Sequence, residues 1–253
     1  MGNFAITTPS RNVLSASKQI SSRLTVATLF LAHALPSAAD GSSIGQIYAP
    51  YVQPLEQELE LVFINDNRGD NSDTPSSDWQ KLGYGTSLLD NIYTELSVTR
   101  RHEQQQALHV VELEGIWQLS EQGEYDSDWG ALFELEIGLE RDAREVSLGI
   151  LNSRDFGKFT LLSNALVAVE WGSDINDEIE TALAMQLRYR WRPAIEPTIE
   201  LFMAQDTIAL GPGFGGIIRL QGINQLRWNA SALKGFTDDA NTSIKLELEY
   251  EFF

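Results

Sequence analysis

Cysteine is absent from the 253 residues, and methionine and histidine occur three times each. The first absence excludes a disulfide framework and a thioether-linked lipid anchor, because both need a thiol. The shortage of thiol, thioether and imidazole groups also argues against a zinc or copper centre. Basic residues are few as well, 18 against 36 acidic, for a formal charge of −18. Phosphate recognition needs a basic surface, so nucleic acid is not an expected partner. Beyond residue 39 no stretch approaches the roughly eighteen to twenty apolar residues of a membrane-spanning helix, which excludes a helical membrane protein. Nothing in the composition implies a cofactor.

The first 39 residues differ from the rest. Arg11, Lys18 and Arg23 stand there without any acidic residue, followed by an apolar run from Leu24 to Leu35 and then Pro36, Ser37, Ala38 and Ala39. A basic segment, a short apolar segment and small residues describe an export signal, expected to be cleaved after Ala39, or else after Ala38. The apolar run is too short for an anchor. Residues 40–54, with Pro50 and Pro54, carry little pattern and are expected to form a periplasmic extension or a partial plug.

From residue 55 to residue 253 the dominant period is two, the period of strands. Twelve strands are expected, within a range of ten to fourteen, at 56–65, 79–88, 91–101, 107–120, 129–140, 145–151, 158–171, 178–192, 198–205, 216–222, 226–234 and 242–253. Glu178 to Arg192 shows the alternation well: Ile179, Thr181, Leu183, Met185, Leu187, Tyr189 and Trp191 share one face, and Glu178, Glu180, Gln186, Arg188, Arg190 and Arg192 the other. The second face carries repeated charges rather than Ser and Thr. An even count returns both ends of the strand series to one side, which divides the connections into two sets. One set is 66–78, 102–106, 141–144, 172–177, 206–215 and 235–241. The other is 89–90, 121–128, 152–157, 193–197 and 223–225.

The final strand narrows the fold class. Ile244, Leu246, Leu248, Tyr250 and Phe252 alternate with Lys245, Glu247, Glu249 and Glu251, and Phe253 follows. This resembles the terminal strand of Gram-negative outer-membrane β-barrels, with Phe252 as the terminal aromatic and Tyr250 two residues before it. The resemblance implies an all-β, antiparallel, up-and-down transmembrane barrel, located in the bacterial outer membrane and recognised by the barrel-insertion machinery through this strand. Outer-membrane lipid and a small solute are the other partners it implies.

With apolar rows toward lipid, the charged rows line a lumen. The expected lining residues are Glu112, Glu114, Glu134, Glu136, Glu180, Arg188, Arg190, Glu247 and Glu249, and the first four, on adjacent strands, form the best cation-facing cluster. A carboxylate in a confined lumen must be hydrated, paired or protonated. Either water fills an acidic, cation-favouring pore, or arginines pair with facing glutamates and close it. The expected function is a narrow porin-like channel for small solutes with a largely acidic lumen; the alternative is a non-conducting structural or scaffold barrel that binds a periplasmic or surface partner.

Catalysis is not expected. Outer-membrane barrels that act on acyl chains resemble one another in a His and a Ser two residues apart on one strand, whereas His109 is followed at that spacing by Val111, and His102 lies in a Glu- and Gln-rich connection. Asp66 to Asp73 is acidic and rich in turn formers but lacks the spacing of a calcium loop, so a solvated loop is expected. Gly211 to Gly216 lacks the Lys-Ser/Thr of a phosphate loop and is expected to make a tight bend in a long connection.

Overall fold

The computed structural model describes residues 44–67, 77–103, 106–205, 207–236 and 242–253. The expected export signal, most of the acidic segment from Asp66 to Asp73 and much of the connection 235–241 lie outside the described residues. Among the described residues there are twelve strands: β1 (Gln57–Asn67), β2 (Ser77–Leu89), β3 (Ile92–Glu103), β4 (Gln106–Gln118), β5 (Asp128–Gly138), β6 (Ala143–Phe156), β7 (Phe159–Gly172), β8 (Glu178–Tyr189), β9 (Glu196–Met203), β10 (Ile208–Arg219), β11 (Gln225–Gly235) and β12 (Thr242–Phe252). Each pairs antiparallel with its sequence neighbours, and β12 closes on β1 from Gln57↔Phe252 to Asn67↔Thr242. Closure satisfies the backbone groups of both terminal strands, as hydrocarbon demands.

The barrel is inverted relative to a water-soluble one. Leu82, Leu148 and Ile244 are 57–60 % exposed on the outer face, while Lys81, Lys245, Glu200 and Glu251 are almost fully enclosed. Each half-exposed Leu or Ile would cost on the order of 1 kcal/mol in water, and that cost disappears against lipid. Toward the end that carries the 90–91 and 157–158 turns, the outer face bears Trp117, Trp129, Phe156, Phe159 and Trp191. The rings of Phe159 and Tyr189 lie 5.1 Å apart there, and those of Tyr250 and Phe252 5.7 Å. Such a girdle suits the boundary between hydrocarbon and headgroups.

Three connections differ clearly from the sequence expectation. The segment Gly211 to Gly216 is not a bend: β10 begins at Ile208 and runs straight through it. Its glycines serve close approach, since a Cβ on Gly211 would stand 1.9 Å from the Ala232 carbonyl oxygen, and one on Gly216 2.4 Å from that of Ala194. The expected turn 152–157 is also shorter, because β6 continues to Phe156 and Gly157, at φ 62°, turns the chain. Conversely β8 stops at Tyr189, and Trp191 and Arg192 belong to a turn closed by an Arg192↔Ile195 bridge.

Residues 44–52 run inside the barrel. Nine extended residues reach about 30 Å, enough to traverse a bilayer-sized lumen. At one end Ile44 packs with Val62, Ile64, Phe202 and Leu233, near the loop end of the strands. At the other Val52 packs with Tyr93, Ile116, Leu132 and Leu151, near the turn end. The inward rows are therefore not uniformly charged, as the alternation had suggested. They hold two apolar clusters, and each is completed by this internal segment.

Candidate functional site

The interior chemistry is organised around a few cations. Lys81, inward on β2, has its Nζ 2.8 Å from Glu95, 3.2 Å from Glu60, 3.4 Å from Glu112 and 3.5 Å from Glu114. Room for this arrangement comes from the next inward positions of β2, which are glycines. A Cβ on Gly83 would meet the Glu95 carboxyl at 2.5 Å, and one on Gly85 would lie 1.8 Å from the Tyr93 hydroxyl, which crosses over Gly85 to donate to Glu58 on β1. Two strands from β2, on β12, Lys245 lies 3.1 Å from Glu200 and 3.0 Å from Glu247, and its Nζ is 5.0 Å from the centre of the Phe202 ring. Glu200 also accepts hydrogen bonds from Gln186, Asn229 and Ser231. Arg227 pairs with Glu249 at 2.9 Å and Glu251 at 2.8 Å.

The internal segment binds into this polar lattice. Asn164, fully enclosed on β7, clamps Tyr48 from both sides: Tyr48 N donates to Asn164 Oδ1 at 2.7 Å, and Asn164 Nδ2 donates to Tyr48 O at 2.9 Å. The Tyr48 hydroxyl donates to Glu134 at 3.1 Å, Tyr51 donates to Asp128 at 2.8 Å, and Val52 N donates to Gln118 Oε1 at 2.8 Å. Gln46 donates to Glu60 while accepting from Lys81 at 3.0 Å, and Lys245 donates to the Gly45 carbonyl at 3.3 Å. Where the segment meets β1, Leu55 has φ 66° and Glu56 is nearly enclosed. Burial, and then the charge of Glu251, push the Glu56 carboxyl up to about 7.

Space remains at both ends. Toward the turn end a cavity of about 510 Å³ is lined by Tyr48, Glu56, Glu58, Arg188, Arg227 and Asn229, among others. Toward the loop end a smaller one of about 250 Å³ is lined by Arg101, Glu145, Glu170, Glu178 and Glu180, with His109 and Glu140 at its rim. His109 bonds Glu140 through both its backbone N–H and its ring Nδ1, each at 2.6 Å, and these contacts hold the Glu140 carboxyl below its usual range.

The expected lining residues fall into different settings. Glu112, Glu114 and Glu134 come together, with carboxylate oxygens within 4.8 Å of one another, but Glu136 turns to Arg101 at 2.8 Å. Glu180 lines the loop-end cavity. Glu247 and Glu249 pair with Lys245 and Arg227. Arg188 bonds Gln186, with its nearest carboxylate, Glu196, at 3.8 Å. Arg190 sits exposed at the turn end, bound to Asp155 at 2.7 Å and to the Gly157 carbonyl. Sequence reasoning missed Lys81, although it shares a period-two face with Gly83 and Gly85. It also missed Asn164, which nothing in its strand's pattern distinguishes.

No protein-family model and no curated protein matches this chain. Among solved structures, the chain is similar to an outer membrane channel from Pseudomonas putida F1, at 13 % identity and a TM-score of 0.57 over 83 % of this chain and 99 % of that one. It is also similar to the KdgM porin in complex with disordered oligogalacturonate, at 10 % identity and a TM-score of 0.55 over 78 % and 99 % of the two chains. At these identities the likeness is one of fold. The chain is an outer-membrane-type β-barrel, built like those of porins and channels.

Proposed function

We propose that this protein is a narrow porin-like channel for small solutes in the bacterial outer membrane, with a charged, largely acidic interior that its own residues 44–52 stopper. The observation that carries this reading is the character of the stopper. It runs along the wall of the larger cavity and is held by reversible hydrogen bonds, chiefly the Asn164 clamp on Tyr48 and the Lys81 bond to Gln46. Around it carboxylates outnumber cations: Lys81 alone faces Glu60, Glu95, Glu112 and Glu114. A water-filled path along such a wall would favour cations.

Planar bilayers test the reading. The full barrel is expected to show mostly closed traces with brief openings, and the barrel lacking 44–52 frequent conducting steps with cation selectivity in a KCl gradient. Silence from a folded, heat-modifiable barrel lacking 44–52 would overturn it.

A second reading, a non-conducting scaffold, is favoured by the apolar seams at Ile44 and Val52, which join the segment to opposite walls. It predicts that silence, together with a partner captured by crosslinking at one rim. Neither reading assigns a chemical step to the His109–Glu140 pair.

A further inference from the structure

The lumen already holds one extended chain, and its contacts with residues 44–52 show which chemistry it recognises. Four hydrogen bonds go from wall side chains to the backbone of that chain. Asn164 takes both the N–H and the C=O of Tyr48, at 2.7 and 2.9 Å; Gln118 Oε1 accepts from Val52 N at 2.8 Å, and Lys245 donates to the Gly45 carbonyl at 3.3 Å. These side chains belong to β7, β4 and β12, so the chain is held from three parts of the wall. Every residue except proline offers the same N–H and C=O, and such bonds carry over to a chain of another sequence.

Asn164 is the most specific of the three. It is fully enclosed on β7, and among the described residues both of its polar side-chain atoms are spent on the segment and none on the wall. The N–H and C=O of one extended residue point to the same side, which is how facing residues of antiparallel strands exchange two bonds. A primary amide complements that pair, whereas a simple ion or a polyol does not present it. Sockets for side chains flank the clamp. Val62, Ile64, Phe202 and Leu233 receive Ile44 at the loop end, and Tyr93, Ile116, Leu132 and Leu151 receive Val52 at the turn end. Backbone bonds that give affinity, with pockets that choose side chains, are how proteins bind extended peptides.

We infer that residues 44–52 occupy a binding site for an extended oligopeptide, and that a peptide of about this length from another molecule, aliphatic at both ends, is the solute class the barrel takes when its own segment withdraws. Glu60 and Glu134, which accept from Gln46 and Tyr48, select against an acidic peptide by like-charge repulsion. The cavity of about 510 Å³, lined by Gln46, Tyr48, Tyr51 and Gln53, leaves one flank of the segment open for exchange. The inference rests on the channel reading for the withdrawal of the segment and deepens it by naming the solute, but binding does not require conduction.

The test uses the full-length barrel carrying Ile44→Asp and Val52→Asp, which put a charge in each apolar socket and release the segment while every wall residue stays in place. Heat-modifiable migration checks its folding. Three acetylated and amidated probes are compared by calorimetry in detergent: the peptide of residues 44–52, the same peptide with alanine everywhere but its first, fifth and ninth positions, and the first peptide methylated on its central tyrosine nitrogen. The first two are expected to bind within about tenfold of one another, and the methylated one at least about tenfold more weakly, the effect of one buried hydrogen bond. Asn164→Ala in the released barrel should weaken the first peptide by a similar factor and erase its advantage over the methylated one. Any effect of the methyl group on the free peptide is the same with both barrels and cancels in that comparison. Absence of saturable binding by the folded, released barrel, or a methylation effect that survives Asn164→Ala, would overturn the site. Peptide binding by a released barrel that never conducts would sink the channel reading and leave the site standing; conducting steps without peptide binding would do the reverse.

Discussion

Lys81 Nζ lies 2.8 Å from Glu95 Oε1, and both side chains are almost wholly enclosed by the barrel wall and the internal segment. Three more glutamates share that ammonium, so its charge is the local counterweight to an interior that would otherwise repel itself. Removing one partner of a buried ion pair leaves the others without compensation, which typically costs about 3–5 kcal/mol. Lys81→Met is therefore expected to lower the unfolding free energy of the refolded barrel by an amount of that order, read as a lower urea midpoint. The loss should shrink at acid pH, where protonated carboxyls need no counter-charge. An unfolding series at two pH values, compared with the parent, checks both parts. A midpoint that falls equally at the two would refute the charge argument.

The Asn164 clamp sets a second expectation. Its amide stands in for a neighbouring strand by satisfying the N–H and the C=O of Tyr48 at once. Asn164→Ala strands both groups in a closed interior, at about 1–3 kcal/mol for each. The wall has no other use for this side chain, so the deficit falls on the docking of residues 44–52 rather than on the barrel. Hydrogen exchange in the peptide spanning these residues should accelerate by at least tenfold while exchange in the strands stays unchanged. Acceleration spread over the strands would mean that Asn164 supports the wall instead.

The inward glycines of β2 give a third. At Gly85 an added methyl would collide with the Tyr93 hydroxyl at 1.8 Å, and a tyrosine ring has no slack with which to bend away. Gly85→Ala should push the ring off Glu58, break that hydrogen bond and cost about 1–3 kcal/mol, as overpacking does. Replacing Tyr93 by Phe in the same background should add little further loss, because the bond is already broken. A double-mutant cycle read by urea midpoints measures this coupling, and strict additivity would exclude it.

The contrast between β12 and β10 explains what the sequence disclosed. β12 alternates Ile244 to Phe252 with Lys245 to Glu251, so its register and both faces could be read directly, and the structure encloses Lys245 and Glu251 as that pattern implies. β10 contains glycines and a proline that locally imitate a turn, and only the neighbouring backbone, such as the Ala232 carbonyl beside Gly211, reveals why side chains are missing there. The interior was partly hidden for a related reason. Val62 and Phe202 sit on inward rows where a channel reading expects polar residues, and their apolar character makes sense only with Ile44 packed against them. Contacts across the barrel leave no periodic mark in a sequence. Lys81 acquires its role from glutamates of the nearby strands β1, β3 and β4 and from Gln46 of the internal segment, and Asn164 from Tyr48 of that segment.

The last expectation concerns pH and the hinge of that segment. Glu56 sits where the chain turns from the lumen into β1, with Gln53 beside it and Glu251 and Arg227 facing it from β12 and β11. Its carboxyl, raised from 4.5 to about 7 in the docked arrangement, holds its proton more tightly there than when the segment is free and solvated. The sign follows from linkage: docking is favoured most fully below the free value, weakens as pH rises from 4.5 through about 7, and is constant again above that. Within this window the docking equilibrium should fall by up to about tenfold per pH unit, because one proton is released when the segment leaves. In planar bilayers the fraction of time open should thus climb between pH 5 and pH 8. Glu56→Gln, which cannot release that proton, should flatten the climb and hold the segment docked at the high end. If the variant keeps the full pH dependence, the titrating group lies deeper in the lumen and the hinge is not the switch.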